Sequence, residues 1–182
     1  MSTSSYTATF TAAPREFVIT YNANGGSGAP EWQVKTHGIL LKLSDMIPKR
    51  EGWYFLGWAE SADTSDPVYL PGDSFTKDAD ATLYAIWGQP DFVLPAALTS
   101  VGEEAFANYA FCFVALSEET TEIQRGAFAD CQNLKYIYIP EACTSINEEA
   151  FNGTSGLTIL CETGSYAEYF ASRWGFVTLL TA

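Results

Sequence analysis

Three copies of one six-residue phrase constrain this chain more than any other feature. They read Val101-Gly-Glu-Glu-Ala-Phe106, Ile123-Gln-Arg-Gly-Ala-Phe128 and Ile146-Asn-Glu-Glu-Ala-Phe151, with the phenylalanines 22 and then 23 residues apart. A fixed period in this range marks stacked repeats, whose units cannot bury their apolar faces alone but form a continuous core together. Aligning the phenylalanines brings out a second phrase: Phe111-Cys-Phe-Val-Ala-Leu116, Leu134-Lys-Tyr-Ile-Tyr-Ile139 and Leu157-Thr-Ile-Leu-Cys-Glu162. Phe92-Val-Leu94 reads as the tail of a preceding copy. The first copy is one residue short between Phe106 and Ser117, and the third strand carries Glu162 where a hydrophobe is expected. Each unit is expected to be a short strand, a turn and a buried Ile/Val…Ala-Phe loop.

Two surfaces follow from this alignment. Side chains alternate along a strand, so Leu134, Ile137 and Ile139 are expected inside, with Lys135, Tyr136 and Tyr138 outside. The equivalents place Phe113, Tyr136 and Ile159 in one exposed column beside Tyr138. A contiguous apolar patch on a protein surface often marks a contact site, and these four residues are the candidate ligand-binding set. The alternatives are that the first half of the chain or a neighbouring molecule covers them. In the loops, Glu103, Arg125 and Glu148 share one place in successive units, an ion-pair ladder that would hold the units in register.

The chain's end reads as a cap. Ser165 and Glu168 have the spacing of a capping box, Gly175 suits the left-handed residue after a helix, and Arg173 sits where the helix dipole is negative. Tyr166, Tyr169, Phe170 and Trp174 recur at helical spacing and are expected to cover one end of the stack. The first half is the natural cover for the other end, because Gly88-Gln-Pro90 is too short a linker to act as a flexible tether.

Residues 1–16 are rich in Ser, Thr and Ala, and Tyr6, Ala8 and Phe10 alternate with threonines, as a strand or a frayed terminus would. From Phe17 the pattern is strand-like. Phe17–Asn22 breaks at Asn24-Gly-Gly-Ser-Gly28, and Trp32 and Val34 supply a hairpin partner. Ile39–Leu43 reads as a strand or a short helix; Glu51–Trp58 and Ala81–Trp87 read as strands. Trp32, Trp53, Tyr54 and Trp58 serve either as the core of a small domain or as a sugar-stacking platform.

Both halves resemble known families. Tyr21-Asn-Ala-Asn-Gly-Gly26, Arg50-Glu-Gly-Trp-Tyr-Phe-Leu-Gly-Trp58, Pro71-Gly-Asp73 and Thr82-Leu-Tyr-Ala-Ile-Trp87 occur in the order of the Listeria–Bacteroides repeat, the B-repeat of internalin-type surface proteins. Residues 92–180, with their Ile/Val…Ala-Phe phrases and a Gly164–Phe176 ending, resemble the BspA-like leucine-rich repeat, the branch whose turns carry Ile-Gly-x-x-Ala-Phe. These resemblances imply an α+β, mainly β chain. Residues 1–16 form an extension, 17–88 a small β-grasp (ubiquitin-like) domain, and 91–182 a short leucine-rich-repeat solenoid with a C-terminal capping helix. They also imply an extracellular or cell-surface setting and no catalytic residue.

Charge and composition narrow the function. The net charge is −13, unevenly divided: residues 1–90 hold ten acids against six bases, residues 91–182 twelve against three. Nucleic-acid binding needs clustered Lys and Arg and is excluded. No apolar run reaches membrane-helix length, and the first residues lack the basic start and apolar stretch of a signal peptide. Cys112, Cys131, Cys143 and Cys161 lack metal-knuckle spacing and read as small hydrophobes. His37 reads as a turn residue without a nucleophile in its own segment. The acids at 63, 66, 78 and 80 lack the glycine and terminal glutamate of a calcium loop. The expected function is therefore non-enzymatic and cofactor-free: a surface or secreted module that binds a protein. A spacer role, or binding of a carbohydrate by exposed tryptophans, is the alternative.

Overall fold

The computed structural model describes residues 13–181, so the alternation of Tyr6, Ala8 and Phe10 lies outside the described residues. The first half contains β1 (Glu16–Asn22), β2 (Gln33–Thr36), β3 (Leu41–Lys42), β4 (Tyr54–Ala59), β5 (Ser74–Phe75) and β6 (Ala81–Gly88). Four of them form one sheet in the order β2-β1-β6-β4, and β3 pairs with β5. β1 and β2 are the expected hairpin, whereas β1 and β6 run parallel. The stretch 39–43 is a two-residue strand and not a helix, and among the described residues no helix lies before residue 166. Trp58 is fully buried, with Tyr21 and Phe55 edge-on to it at 4.9 and 5.0 Å. Lys35 is buried too, its ammonium on Asp78 at 2.6 Å and on the Thr36 carbonyl at 2.9 Å. A buried cation persists only when paired in this way.

The second half is a stack of rungs. It contains β7 (Phe92–Val93), β8 (Ser100–Val101), β9 (Phe113–Ala115), β10 (Glu122–Ile123), β11 (Tyr136–Tyr138), β12 (Ser145–Ile146), β13 (Thr158–Glu162), α1 (Tyr166–Trp174) and β14 (Val177–Thr181). Five parallel strands, in the order β14-β13-β11-β9-β7, form the strand face; β12-β10-β8 form a second, short parallel sheet behind it. The repeated phrase lies between the two sheets. Phe106, Phe128 and Phe151 stack at 5.5 and 5.8 Å, with rings nearly parallel. Ala127 and Ala150 are fully buried, so only a methyl fits beside the next rung's ring. Asn108, Asp130 and Gly153 all take positive φ (64°, 55° and 77°) at matching places, a turn repeated rung after rung. At Gly153 an added Cβ would meet Asp130 Oδ1 at 2.1 Å.

Four sequence expectations change here. The first concerns the third strand, which has one residue fewer after its buried leucine. Thr158, not Ile159, pairs with Tyr136; Ile159 pairs with Ile137 and Leu160 with Tyr138. A one-residue slip moves every side chain to the opposite face. Ile159 and Cys161 therefore lie in the array core, and Glu162 lies beyond it. The second concerns Arg125, which reaches Glu149 at 2.5 Å and Glu103 at 3.9 Å, so its second partner is Glu149 in place of Glu148.

The third concerns the cap. Ser165 Oγ accepts from Glu168 N–H and Gly175 is left-handed as expected, but Glu168 reaches back to Gly164 N–H. Ala167, Phe170 and Ala171 cover the stack, while Tyr166, Tyr169 and Trp174 remain exposed. The fourth is that the first half does not close the opposite end. There Phe106 is only half-buried, Ala105 and Tyr109 are exposed, and Phe92, Phe111 and Tyr109 stack on one another.

The Phe128→Ala variant is expected to lose about 3–5 kcal/mol of stability, the cost of a large cavity in a fully packed column. Phe106→Ala, at the half-exposed end, is expected to lose distinctly less. Chemical denaturation of both variants checks the order.

Candidate functional site

The strand face that the sequence offers as a binding patch is occupied by the first half of the chain. Phe113 is 4 % exposed, Tyr138 5 % and Ile159 0 %; only Tyr136 keeps partial access. The exposed column is thus corrected on two grounds. Ile159 faces the other way, and Phe113 and Tyr138 lie beneath Tyr54 of β4. The Tyr54 ring stands 5.2 Å from Phe113 and 5.1 Å from Tyr138, in the tilted and edge-on geometries that aromatic quadrupoles favour. One apolar cluster runs through the seam, from Phe55, Leu56 and Ile86 on one side to Ala115, Leu160 and Leu179 on the other.

Polar contacts border the same seam, some within the second half and some across to the first. Asp91, directly after the linker, accepts the Cys112 N–H at 2.9 Å and the Phe113 N–H at 2.8 Å. Gln89 donates to the Gly52 carbonyl at 3.2 Å, and Lys135 reaches Asp66 at 3.3 Å from the array to the first half. The last of these is exposed and adds little. The Asp91 bonds are charge-assisted and close the end of β9, where the ladder would otherwise leave two donors.

Along the rim of the seam lie two clefts that share Trp53, Tyr54 and Glu118. One, of about 510 Å³, is lined by Lys49, Arg50, Trp53, Tyr138 and Glu162 among others. The other, of about 840 Å³, is lined by Pro90, Val93, Ala96 and Leu116 and is the more apolar. Arg50 lies over the Trp53 ring at 4.3 Å, so one face of this half-exposed indole is already used. The buried hydroxyl of Tyr138 donates to Glu118 at 3.3 Å, with Glu162 at 3.5 Å on the other side. Burial first, and then these two carboxylates, hold the Tyr138 phenol well above its ordinary range. Burial and Glu118 raise Tyr54 in the same way.

This arrangement offers paired carboxylates, a guanidinium and an indole edge for binding. It has no paired nucleophile and base. His37 is engaged elsewhere, its Nδ1 at 2.8 Å from Asp78. Asp78 and Asp80 are tied up in the fold, Asp80 accepting the Val18 N–H at 2.8 Å. Among the described residues no group of three or more His, Cys, Asp or Glu is placed to hold a metal ion. All four cysteines are free thiols, and only Cys112 is exposed. Sequence reasoning missed Tyr54, Arg50, Glu118 and Glu162 as a set, because they come from separate elements joined only by docking. The short linker was the available signal that docking occurs.

Comparison with protein-family models matches residues 17–86 to the Listeria-Bacteroides repeat domain and residues 83–167 to the BspA type leucine rich repeat region (6 copies). The two follow each other in the order read from the sequence, and most of α1 and all of β14 lie beyond the second match. Neither the curated proteins nor the solved structures yield a match.

Alkaline pH tests the buried phenols and thiols. Burial pushes Cys143 from 9.0 up to about 11, and it raises Cys131, Cys161 and Tyr136 as well as Tyr54 and Tyr138. A group whose folded value exceeds its unfolded one stabilises fully below the unfolded value and loses that contribution as pH rises through the folded one. Stability is therefore expected to fall from about pH 9 upward. Tyr138→Phe is expected to make the fall shallower. Denaturation midpoints across that window check both, and a flat profile would contradict the assignment.

Proposed function

We propose that this chain, a Listeria-Bacteroides repeat joined to a BspA type leucine rich repeat region, is a bacterial surface module that binds a protein partner at the clefts beside Trp53. The observation that carries this reading is the position of those clefts. They sit where the two repeats meet and combine an accessible indole edge with charged groups of both signs. Aromatic and arginine side chains in partly desolvated settings are the usual anchors of protein interfaces. The strand face cannot serve while Tyr54 packs on Phe113 and Tyr138. Both families are typically surface or interaction modules, which supports the setting and a non-catalytic role.

We read the first unit as a β-grasp without its helix. The β1–β2 hairpin, the parallel β1–β6 pair and the antiparallel β4–β6 pair support this. A second reading, a rigid spacer that projects another domain, is favoured by one specific observation. The apolar cluster is continuous across the two repeats, which holds them at a single angle.

An array of extracellular-matrix and bacterial-surface proteins, probed with the purified chain, distinguishes the two. Trp53→Ala combined with Arg50→Glu is expected to weaken the strongest interaction at least about tenfold, with Trp32→Ala as the unaffected control. Binding that survives the double change would refute the cleft, and a silent array would favour the spacer.

A further inference from the structure

We propose that the groove between the cap helix and the back of the array binds a neutral carbohydrate. The groove measures about 660 Å³, within the size range of small-ligand sites. Its outer wall carries three aromatic rings of α1: Tyr166, Tyr169 and Trp174, which are 38 %, 57 % and 44 % exposed. Trp174 packs on Phe170 at 6.4 Å and Tyr166 on Tyr169 at 5.9 Å, yet all three rings keep exposed surface. The stack is sealed by Ala167, Phe170 and Ala171, which are buried on the same helix, and Phe170 packs on Phe176 at 5.9 Å and Phe151 at 6.1 Å. Three large rings therefore stay partly exposed along a groove beside a stack already sealed by Phe170.

The inner wall supplies hydrogen-bonding groups of the complementary kind. Glu122 and Gln124 come from the second rung and Asn147 from the third, while Arg173 comes from α1 itself, its guanidinium 5.8 Å from the Trp174 ring. Glu122 is held in place before any ligand arrives, because its Oε2 accepts from Ser100 Oγ and Gln124 Nε2, each at 3.2 Å. Its Oε1 has no such partner among the described residues. Aromatic rings together with planar carboxylate and amide groups in one groove match the two sides of a pyranose. The rings take its axial C–H face, and the planar groups pair with its vicinal hydroxyls.

Charge decides which sugar. Arg125 is engaged by Glu149 and Glu103, leaving Arg173 without an ion pair among the described residues. Against this one cation stand Glu122 and Glu148, in a half of the chain with twelve acids and three bases. A carboxylated or sulfated sugar would meet repulsion on that wall, whereas a neutral one finds donors and acceptors of both kinds. A hydrophobic peptide would need an apolar floor, and this groove is lined chiefly by polar atoms. The Trp53 indole is the more closely covered of the two, with Arg50 at 4.3 Å from its ring against 5.8 Å for Arg173 over Trp174.

The experiment is a titration of the full chain with cellotriose, chitotriose, mannotriose and, separately, an acidic hyaluronan tetrasaccharide. It is followed through the tryptophan indole N–H signals in nuclear magnetic resonance. At least one neutral trisaccharide is expected to shift the Trp174 signal saturably, in the millimolar range usual for a single small site. Tyr169→Ala, read on the Trp174 signal, and Trp174→Ala, read by isothermal titration calorimetry, are each expected to weaken that binding by roughly tenfold, with Trp32→Ala leaving it unchanged. Circular dichroism of each variant confirms that the fold is intact. Three results would overturn the proposal: no neutral sugar shifting Trp174, hyaluronan alone doing so, or affinity unchanged in folded Tyr169→Ala. The cleft beside Trp53 can fail its own test without touching this one, since the two sites share no residue.

Discussion

Tyr54 wedged between Phe113 and Tyr138 is the contact on which the rest of this structure depends. An array of three rungs buries little surface by itself and gains from whatever packs against its open sides. The cap helix closes one end through Phe170. The five-stranded face, lined by Phe113, Ala115, Tyr138, Leu160 and Leu179, is closed by β4 of the preceding repeat. A short array that left this face open would expose a contiguous apolar patch. Here the patch becomes the core of a single two-repeat body, and the first repeat gains a floor for Phe55, Leu56 and Ile86. The opposite end of the stack stays uncovered, with Tyr109 and Phe111 stacked at 5.1 Å at its rim.

Much of this architecture was legible in the sequence because it is periodic. The Ile/Val…Ala-Phe phrase locates the stacked phenylalanines, and the alternation in Leu134–Ile139 separates the core-facing Ile137 and Ile139 from Tyr136 and Tyr138. The capping signals around Ser165 and Gly175 mark the only helix among the described residues. The failures share one cause: they concern contacts between parts that no local pattern connects. Period alone cannot reveal that the third rung drops a residue after Leu157, which turns Ile159 inward. Nor does it say which side of the array the first repeat will choose. Hydrophobic residues that face outward from one core carry the same signal whether a partner or a neighbouring domain covers them. The substitution of Glu149 for Glu148 beside Arg125 is a smaller case, set by an Asx turn in which Asn147 Oδ1 accepts the Glu149 N–H at 2.9 Å.

Docking relocates the surfaces on which function can rest. With the strand face covered, the accessible concave regions lie at its rim, beside Trp53, and behind the array, beneath Trp174. They differ in chemistry. The rim carries charges of both signs around an indole already stacked with Arg50, which suits a protein partner. The rear groove combines three partly exposed rings with polar side chains, the combination on which the sugar proposal rests. The two proposed sites are compatible, since each is built from residues the other does not use.

A double-mutant cycle on Tyr54→Ala and Phe113→Ala tests the docking most directly, with unfolding free energies measured for the parent, both single variants and the double variant. Residues in packed contact show coupling energies of about 0.5–3 kcal/mol, and distant ones add within about 0.3–0.5 kcal/mol. The account predicts coupling of at least about 1 kcal/mol between these two rings. Strict additivity would mean that the first repeat does not sit on the strand face, and the clefts beside Trp53 would lose their basis.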